Sequence, residues 1–194
     1  MSSILRKGYR LIDVAQVKII QGDHPQTRRF MISCGLGYDA LAGYHVQKSP
    51  FKSRMNKYGM GNLVYLASGA FSMFQYKPFH FVDNKEEVAF YVAMNQRYEG
   101  GGFLFAPNAN PQDGLLDFMK VSNISRLKML QLIPSARNGK HIFSKHVSLE
   151  ALAYHHLEMV EPVYIHADGE VLGKAIEVEF SILKDKLCLL NSEI

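Results

Sequence analysis

Apolar and polar positions change period several times along this chain, and each change marks an element. Val14–Ile20 and Arg28–Ser33 alternate at period two across the turn-rich Gly22-Asp23-His24-Pro25, which predicts a β-hairpin. After Gly37 the spacing becomes helical, with Asp39 placed to cap the first turn, until Ser49-Pro50 interrupts it. Leu63, Leu66, Ala67, Ala70, Phe71 and Phe74 recur at three/four spacing and predict a second helix, closed by Pro78. Short strands follow at Phe79–Val82, Glu87–Met94, Phe103–Ala106 and Leu115–Val121, with an Asp83-Asn84 turn after the first. Ser125 predicts the cap of a third helix carrying Leu127, Leu130 and Ile133, limited by Pro134. The last third reads as strands at His146–Leu152, Ala153–Val160, Val163–Ala167, Val171–Leu183 and Leu187–Leu190, broken at Gly173 or at Lys184-Asp185-Lys186. The sum is an α+β fold: a mainly antiparallel, β-sandwich-like domain with two or three inserted helices. The βαβ alternation of a nucleotide-binding Rossmann-type unit is missing from the pattern.

Composition adds little that the pattern does not already require. At 194 residues, with 47% hydrophobic and 21% charged, residues 1–194 read as one domain with an ordinary core. A net charge of +4 favours anionic partners. No basic stripe interleaved with aromatics appears, which argues against nucleic acid. Cys34 and Cys188 lie in apolar runs without a CxxC partner, which predicts two buried, reduced thiols and a cytoplasmic setting. The apolar stretch Leu63–Phe74 is too short to span a bilayer, so membrane contact would be peripheral, at the inner face. Lys48, Lys52, Arg54 and Lys57 form either a solvated face or a contact for acidic headgroups. Most of the eight histidines read as surface positions, and His155-His156 should point to opposite sides of a strand.

Three short segments carry candidate chemistry. Asp168-Gly169-Glu170 is a strong hairpin signal, because Asp and Gly both tolerate the positive φ of a type I′ turn. It also sets two carboxylates around a glycine, where one could take a proton from a hydroxyl while the other orients it. Asn110-Pro111-Gln112-Asp113-Gly114-Leu115 reads as a loop, or as a hard-cation site of one carboxylate with carbonyls and water. Gly100-Gly101-Gly102 permits a sharp bend, or the close approach of a ligand to the backbone. Gly35-x-Gly37 and Gly59-x-Gly61 lack the third glycine or lysine of a phosphate cradle.

Taken in order, these segments resemble the C-terminal domain of the bacterial diacylglycerol kinase-like lipid kinases, relatives of sphingosine kinases and NAD kinases. The ordered set is Ile12-Asp13, Gly35-Leu36-Gly37-Tyr38-Asp39, Met94-Asn95 before the glycine triplet, Pro107, Asp113-Gly114-Leu115, Gly139-Lys140-His141, and Glu161-Pro162 before Asp168-Gly169-Glu170. The resemblance implies that Glu170 is the proton acceptor and Asp168 its companion acid. It implies a Mg²⁺ site at Asn110, Asp113 and Leu115, the outer two through backbone carbonyls. It places Gly100, Gly101 and Gly102 at the nucleotide, and ATP mainly on an N-terminal nucleotide-binding domain. That domain's Gly-Gly-Asp-Gly segment does not occur in this sequence, and Met1–Arg10 reads as the tail of the helix that would end it. Glu99 departs from the family pattern, which more often has an aromatic or small residue there. The expected partners are a lipid at the membrane surface, the nucleotide-binding domain in cis or in trans, and a second copy of the chain through surface that this domain would cover. The alternative is a non-catalytic module that keeps the fold and binds a lipid or a protein.

Overall fold

The predicted hairpin forms, and the strand Glu170–Leu190 joins it to the remaining strands in one antiparallel sheet. A computed structural model describes residues 9–48, 71–100 and 102–190. Strands β1 (Tyr9–Gly22) and β2 (Gln26–Phe30) make the hairpin, and β3 (Ser33–Gly37) leads into helix α1 (Tyr38–Lys48). Strands β4 (Phe79–Phe81), β5 (Asn84–Met94) and β6 (Leu116–Ser122) precede helix α2 (Arg126–Ser135). Two short 3-10 turns, Ala136–Asn138 and Lys140–Phe143, lead to β7 (Val147–Leu152), β8 (Tyr154–Ala167) and β9 (Glu170–Leu190). The order across the sheet is β2-β1-β9-β8-β3-β5-β6-β7, with β4 pairing β5 and β8.

The sheet closes over itself. In a flat sheet β9 and β6, four places apart, would be separated by roughly 19 Å. Phe180 on β9 instead meets Phe118 on β6 with ring centroids 5.6 Å apart, and Phe30 lies 6.5 Å on its other side. All three rings are fully buried, and each edge-to-face pair adds about 0.5–1.5 kcal/mol beyond area burial. Bulges make the bend: β8 and β9 slip register between Glu158 and Val163, and β1 and β9 slip between Ile12 and Val14. The breaks expected at Gly173 and Lys184-Asp185-Lys186 are therefore irregularities within one long strand. Gly173 at φ 108° and Asp185 at φ 52° absorb them. β5 is buried on both faces from Val88 to Met94. Val88, Tyr91 and Ala93 face the interior of the fold, and Ala89, Phe90, Val92 and Met94 face the layer that holds Met73, Tyr76 and Met129.

Several expectations need correction. Phe103–Ala106 is not a strand; Phe103 makes only an isolated bridge with Glu99. Tyr9 and Arg10 belong to β1 rather than to a helix, and residues 1–8 lie outside the described residues. Asp39 sits inside the first turn of α1 and does not cap it. Ser125 does cap α2, but Leu127 and Leu130 are exposed and Met129 is the buried residue of that helix. Cys34 is buried as expected, whereas Cys188 is exposed. His155 stacks inward on Tyr91 and Phe118 while His156 meets Glu177 outside, as strand alternation requires. Residues 71–75 are helical and end ahead of Pro78; the rest of that predicted helix, Ser49-Pro50, Lys52, Arg54, Lys57, Gly59 and Gly61 lie outside the described residues.

Candidate functional site

The turn between β8 and β9 is the two-residue hairpin that its sequence predicts. Asp168 at φ 48° and Gly169 at φ 80° carry the positive φ of a type I′ turn, and Ala167 pairs with Glu170 across it. The two carboxylates then diverge. Asp168 reaches across to the connection between β2 and β3, where Oδ2 accepts from Met31 N–H at 2.8 Å and Oδ1 accepts from Ile32 and Ser33 N–H at 2.8 and 3.1 Å. Its own N–H donates to the Ser33 carbonyl at 2.8 Å. Asp168 is a clamp. Glu170 stays at the surface, paired with the Arg28 guanidinium from β2.

Behind the turn lies a buried ionisable group that sequence reasoning missed. His166, two residues before Asp168 on β8, places Nε2 against Asp39 Oδ2 and 3.7 Å from Glu99 Oε1. Room for this contact comes from Gly35, where a Cβ would collide with both the imidazole and the Asp39 carboxylate. Gly35-Leu36-Gly37-Tyr38-Asp39 thus serves close packing. Glu99 is pushed up to about 7, by burial first and then by the Asp39 carboxylate. Burial works against the His166 imidazolium, but Asp39, and with it Glu99 and Asp168, outweigh that and lift it to about 9. Glu99 Oε2 is sealed from water without a well-formed hydrogen bond; the Ser33 hydroxyl lies near enough to favour its ionised form but not in bonding geometry.

His166 ties this group to the turn. Its Nδ1 faces the Gly169 N–H at 3.3 Å, a contact that only the neutral ring, with its proton on Nε2 toward Asp39, can accept. That long contact is the one that gives way when the imidazolium forms and Nδ1 gains a proton. The ligand atoms of Asp39, Glu99 and His166 all lie within 4.8 Å of one another, so the group suits either shared protons or a divalent cation. Two signals in the sequence point here: Glu99 as the departure from the family pattern, and His166 in period two with Asp168.

The residues expected at Mg²⁺ form a compact loop at a different place. Asp113 Oδ1 accepts from Leu115 N–H at 2.9 Å within its own turn, and Asn110 Oδ1 accepts from Gln112 N–H at 3.2 Å. Asp13 holds the loop from outside. This buried carboxylate accepts from Gly114 N–H and from Asp185 N–H, each at 2.8 Å, and Asp13 N–H donates to the Pro111 carbonyl at 2.7 Å. Burial, and secondarily the Asp113 carboxylate, push Asp117 up to about 6. Two neighbouring carboxylates beside loop carbonyls fit a hard cation. Asp117 is the ligand candidate that sequence reasoning omitted.

Gly100 and Gly102 stand at the tip of a small hairpin closed by Glu99 and Phe103, whose backbones exchange hydrogen bonds at 2.9 Å. Gly102 has open space where a side chain would project, and Gly101 lies outside the described residues. Glu99 therefore links the triplet to the His166 group. A cleft of about 480 Å³ opens between α1 and the β1–β2 turn, lined by Tyr44, Tyr164, His24 and Val171 next to Glu170. Its walls are mixed polar and aromatic.

Comparison with known proteins gives one consistent answer. Residues 32–190 match the family described as the YegS C-terminal NAD kinase beta sandwich-like domain. A diacylglycerol kinase of Mycobacterium tuberculosis is 30% identical over 156 residues, covering 78% of this chain and 48% of that protein. A putative lipid kinase, YtlR, of Bacillus subtilis is 28% identical over 171 residues, covering 84% of this chain and 55% of its own. The chain thus spans about half the length of these relatives. Two solved structures from Bacillus anthracis share the fold. A diacylglycerol kinase superposes with a TM-score of 0.54 at 15% identity, over 96% of this chain and 55% of that one. A putative diacylglycerol kinase gives 0.59 at 17% identity, over 95% and 58%.

Proposed function

This chain belongs to the family of YegS C-terminal NAD kinase beta sandwich-like domains, within the lipid kinases, and we propose that it is the substrate-binding and catalytic-base half of an ATP-dependent lipid kinase. The acceptor is a diacylglycerol-like hydroxyl. Glu170 takes the hydroxyl proton as the lipid oxygen forms its bond to the γ-phosphorus of ATP, and ADP leaves with the electron pair of the broken P–O bond. Asp168 acts through Glu170: by binding three backbone N–H groups it fixes where the neighbouring carboxylate stands. Asn110, Asp113 and Leu115, with Asp117, would hold Mg²⁺, which supplies charge neutralisation near the phosphates. The open backbone at Gly100 and Gly102 lets a phosphate chain come close without steric obstruction. ATP itself is held mainly by a nucleotide-binding domain supplied in cis or in trans.

The observation that carries this reading is the division of labour in the turn. One carboxylate is spent on rigidity, and the other is left at the surface beside a single movable partner, Arg28. The test joins the chain to a nucleotide-binding domain and follows phosphate transfer from radiolabelled ATP to diacylglycerol in mixed micelles. Glu170→Gln should lower turnover by about 100-fold or more with an unchanged melting temperature. Turnover at the level of the unaltered chain would remove Glu170 from the role of base.

A further inference from the structure

A long acid-free stretch rich in cations lies outside the site just described. From Phe118 to Leu149 the chain holds six Lys or Arg residues and no Asp or Glu. Lys120 is paired with Glu86. The other five, Arg126, Lys128, Arg137, Lys140 and Lys145, are exposed, and among the described residues none pairs with a carboxylate. The same stretch carries three exposed large apolar side chains: Leu127 at 69%, Leu130 at 46% and Phe143 at 85%. Leu127 and Leu130 share one face of α2. The 3-10 turn ending at Phe143 packs against that helix. The lobe rests on the glycine-triplet loop, where Leu104 N–H donates to the Ala136 carbonyl at 2.9 Å and the Arg137 guanidinium covers Phe103 at 5.2 Å.

We propose that α2 and the turn after it form a docking surface for an anionic lipid bilayer. Helical spacing places Leu127 and Leu130 outward because Met129 takes the core position, so this apolar surface is not accounted for by folding. Leucine and phenylalanine tips accompanied by exposed cations that pair with no carboxylate suit an interface with hydrocarbon below and phosphate headgroups above. A nucleic-acid groove has no use for exposed aliphatic side chains, and an acidic protein partner would have to cover them at a separate apolar patch. The choice of occupant rests on the lipid-kinase reading. The surface would hold the glycine-triplet loop close to the membrane that contains the acceptor.

The experiment is sedimentation of the full chain with phosphatidylcholine vesicles, with and without phosphatidylglycerol, at low and high salt and without nucleotide. Binding should require phosphatidylglycerol and weaken with salt. Leu127→Glu with Phe143→Glu should weaken it at least about tenfold. Lys128→Ala and Lys140→Ala should each weaken it about fivefold. All four positions are exposed, and a melting curve checks that each variant is folded. Absence of binding at low salt overturns the proposal, as does undiminished binding by the folded Leu127/Phe143 variant. Lysine-dependent capture of a single-stranded oligonucleotide, indifferent to Leu127 and Phe143, overturns it in favour of nucleic acid. Because no nucleotide is present, this binding is read apart from catalysis: if the chain joined to a nucleotide-binding domain transfers no phosphate from ATP, the kinase reading sinks and vesicle binding leaves the surface standing.

Discussion

Asp168-Gly169 and Asp113-Gly114 are the same dipeptide in two loops, and the structure uses them in opposite ways. Asp168 spends its carboxylate on a different part of the chain, the connection at Met31–Ser33. Asp113 spends its own on Leu115, two residues away, and depends on remote Asp13 to anchor the loop. In one turn the aspartate is the anchor and the neighbouring glutamate is left at the surface with Arg28. In the other the aspartate is anchored, and its carboxylate turns back on its own loop. An Asp-Gly pair therefore dictates the local bend, while the job of the carboxylate depends on which orphan N–H groups the fold brings to it.

The comparison breaks most clearly at Asp13. Asp13→Ala leaves two N–H groups without their buried acceptor and should cost about 3–5 kcal/mol in urea unfolding, whereas Asp113→Ala should cost about 1 kcal/mol or less. Equal costs would show that the loop anchors itself. Next comes Asp168→Ala, expected to cost about 2–4 kcal/mol, because three charge-assisted bonds are lost and alanine resists the positive φ. Asp168→Asn keeps the turn preference and separates the two contributions. Should both variants lose nothing, Asp168 is not the clamp.

The smallest effect is a pH dependence at Glu99. Unfolded, this carboxyl ionises near 4.5, while the fold holds its proton up to about 7. A raised pKa gives stability that is fully present below the unfolded value and is lost as pH rises through the folded one. Glu99→Gln should remove that loss, so that the variant gains on the unaltered chain as pH rises from about 5 to about 8. The loss tied to His166 should persist in the variant, because that imidazolium is stabilising below 6.5 and gives up its contribution as pH rises through about 9. A chain whose melting temperature ignores pH in both forms would show that the buried group is not ionising.

Much of the architecture was legible because it follows from short-range rules. Period-two alternation placed β2, β5, β6 and β7 to within three residues, while the two strands expected over 153–167 are the single strand β8, and Ser125 marked the start of α2 through its own cap. Asp168-Gly169 predicted its type I′ turn because positive φ is a local preference. The site was legible only in part. Glu170, Gly100 and Gly102 stand exposed as a functional reading needs, but Arg28, Asp39 and His166 around them come from three other elements.

By itself the sequence determined the strands, the turns and the order of motifs that marks the family, since each is written within a dozen residues. Only the tertiary structure decided what the carboxylates do. Asp13 reads as one more strand residue until the fold brings Gly114 and Asp185 to it from 101 and 172 positions away. His166 reads as a surface histidine until Gly35, lacking a Cβ, lets Asp39 reach it. The curling of one sheet over Phe180 sets those distances, and it arises from bulges and packing that no window of neighbouring residues contains.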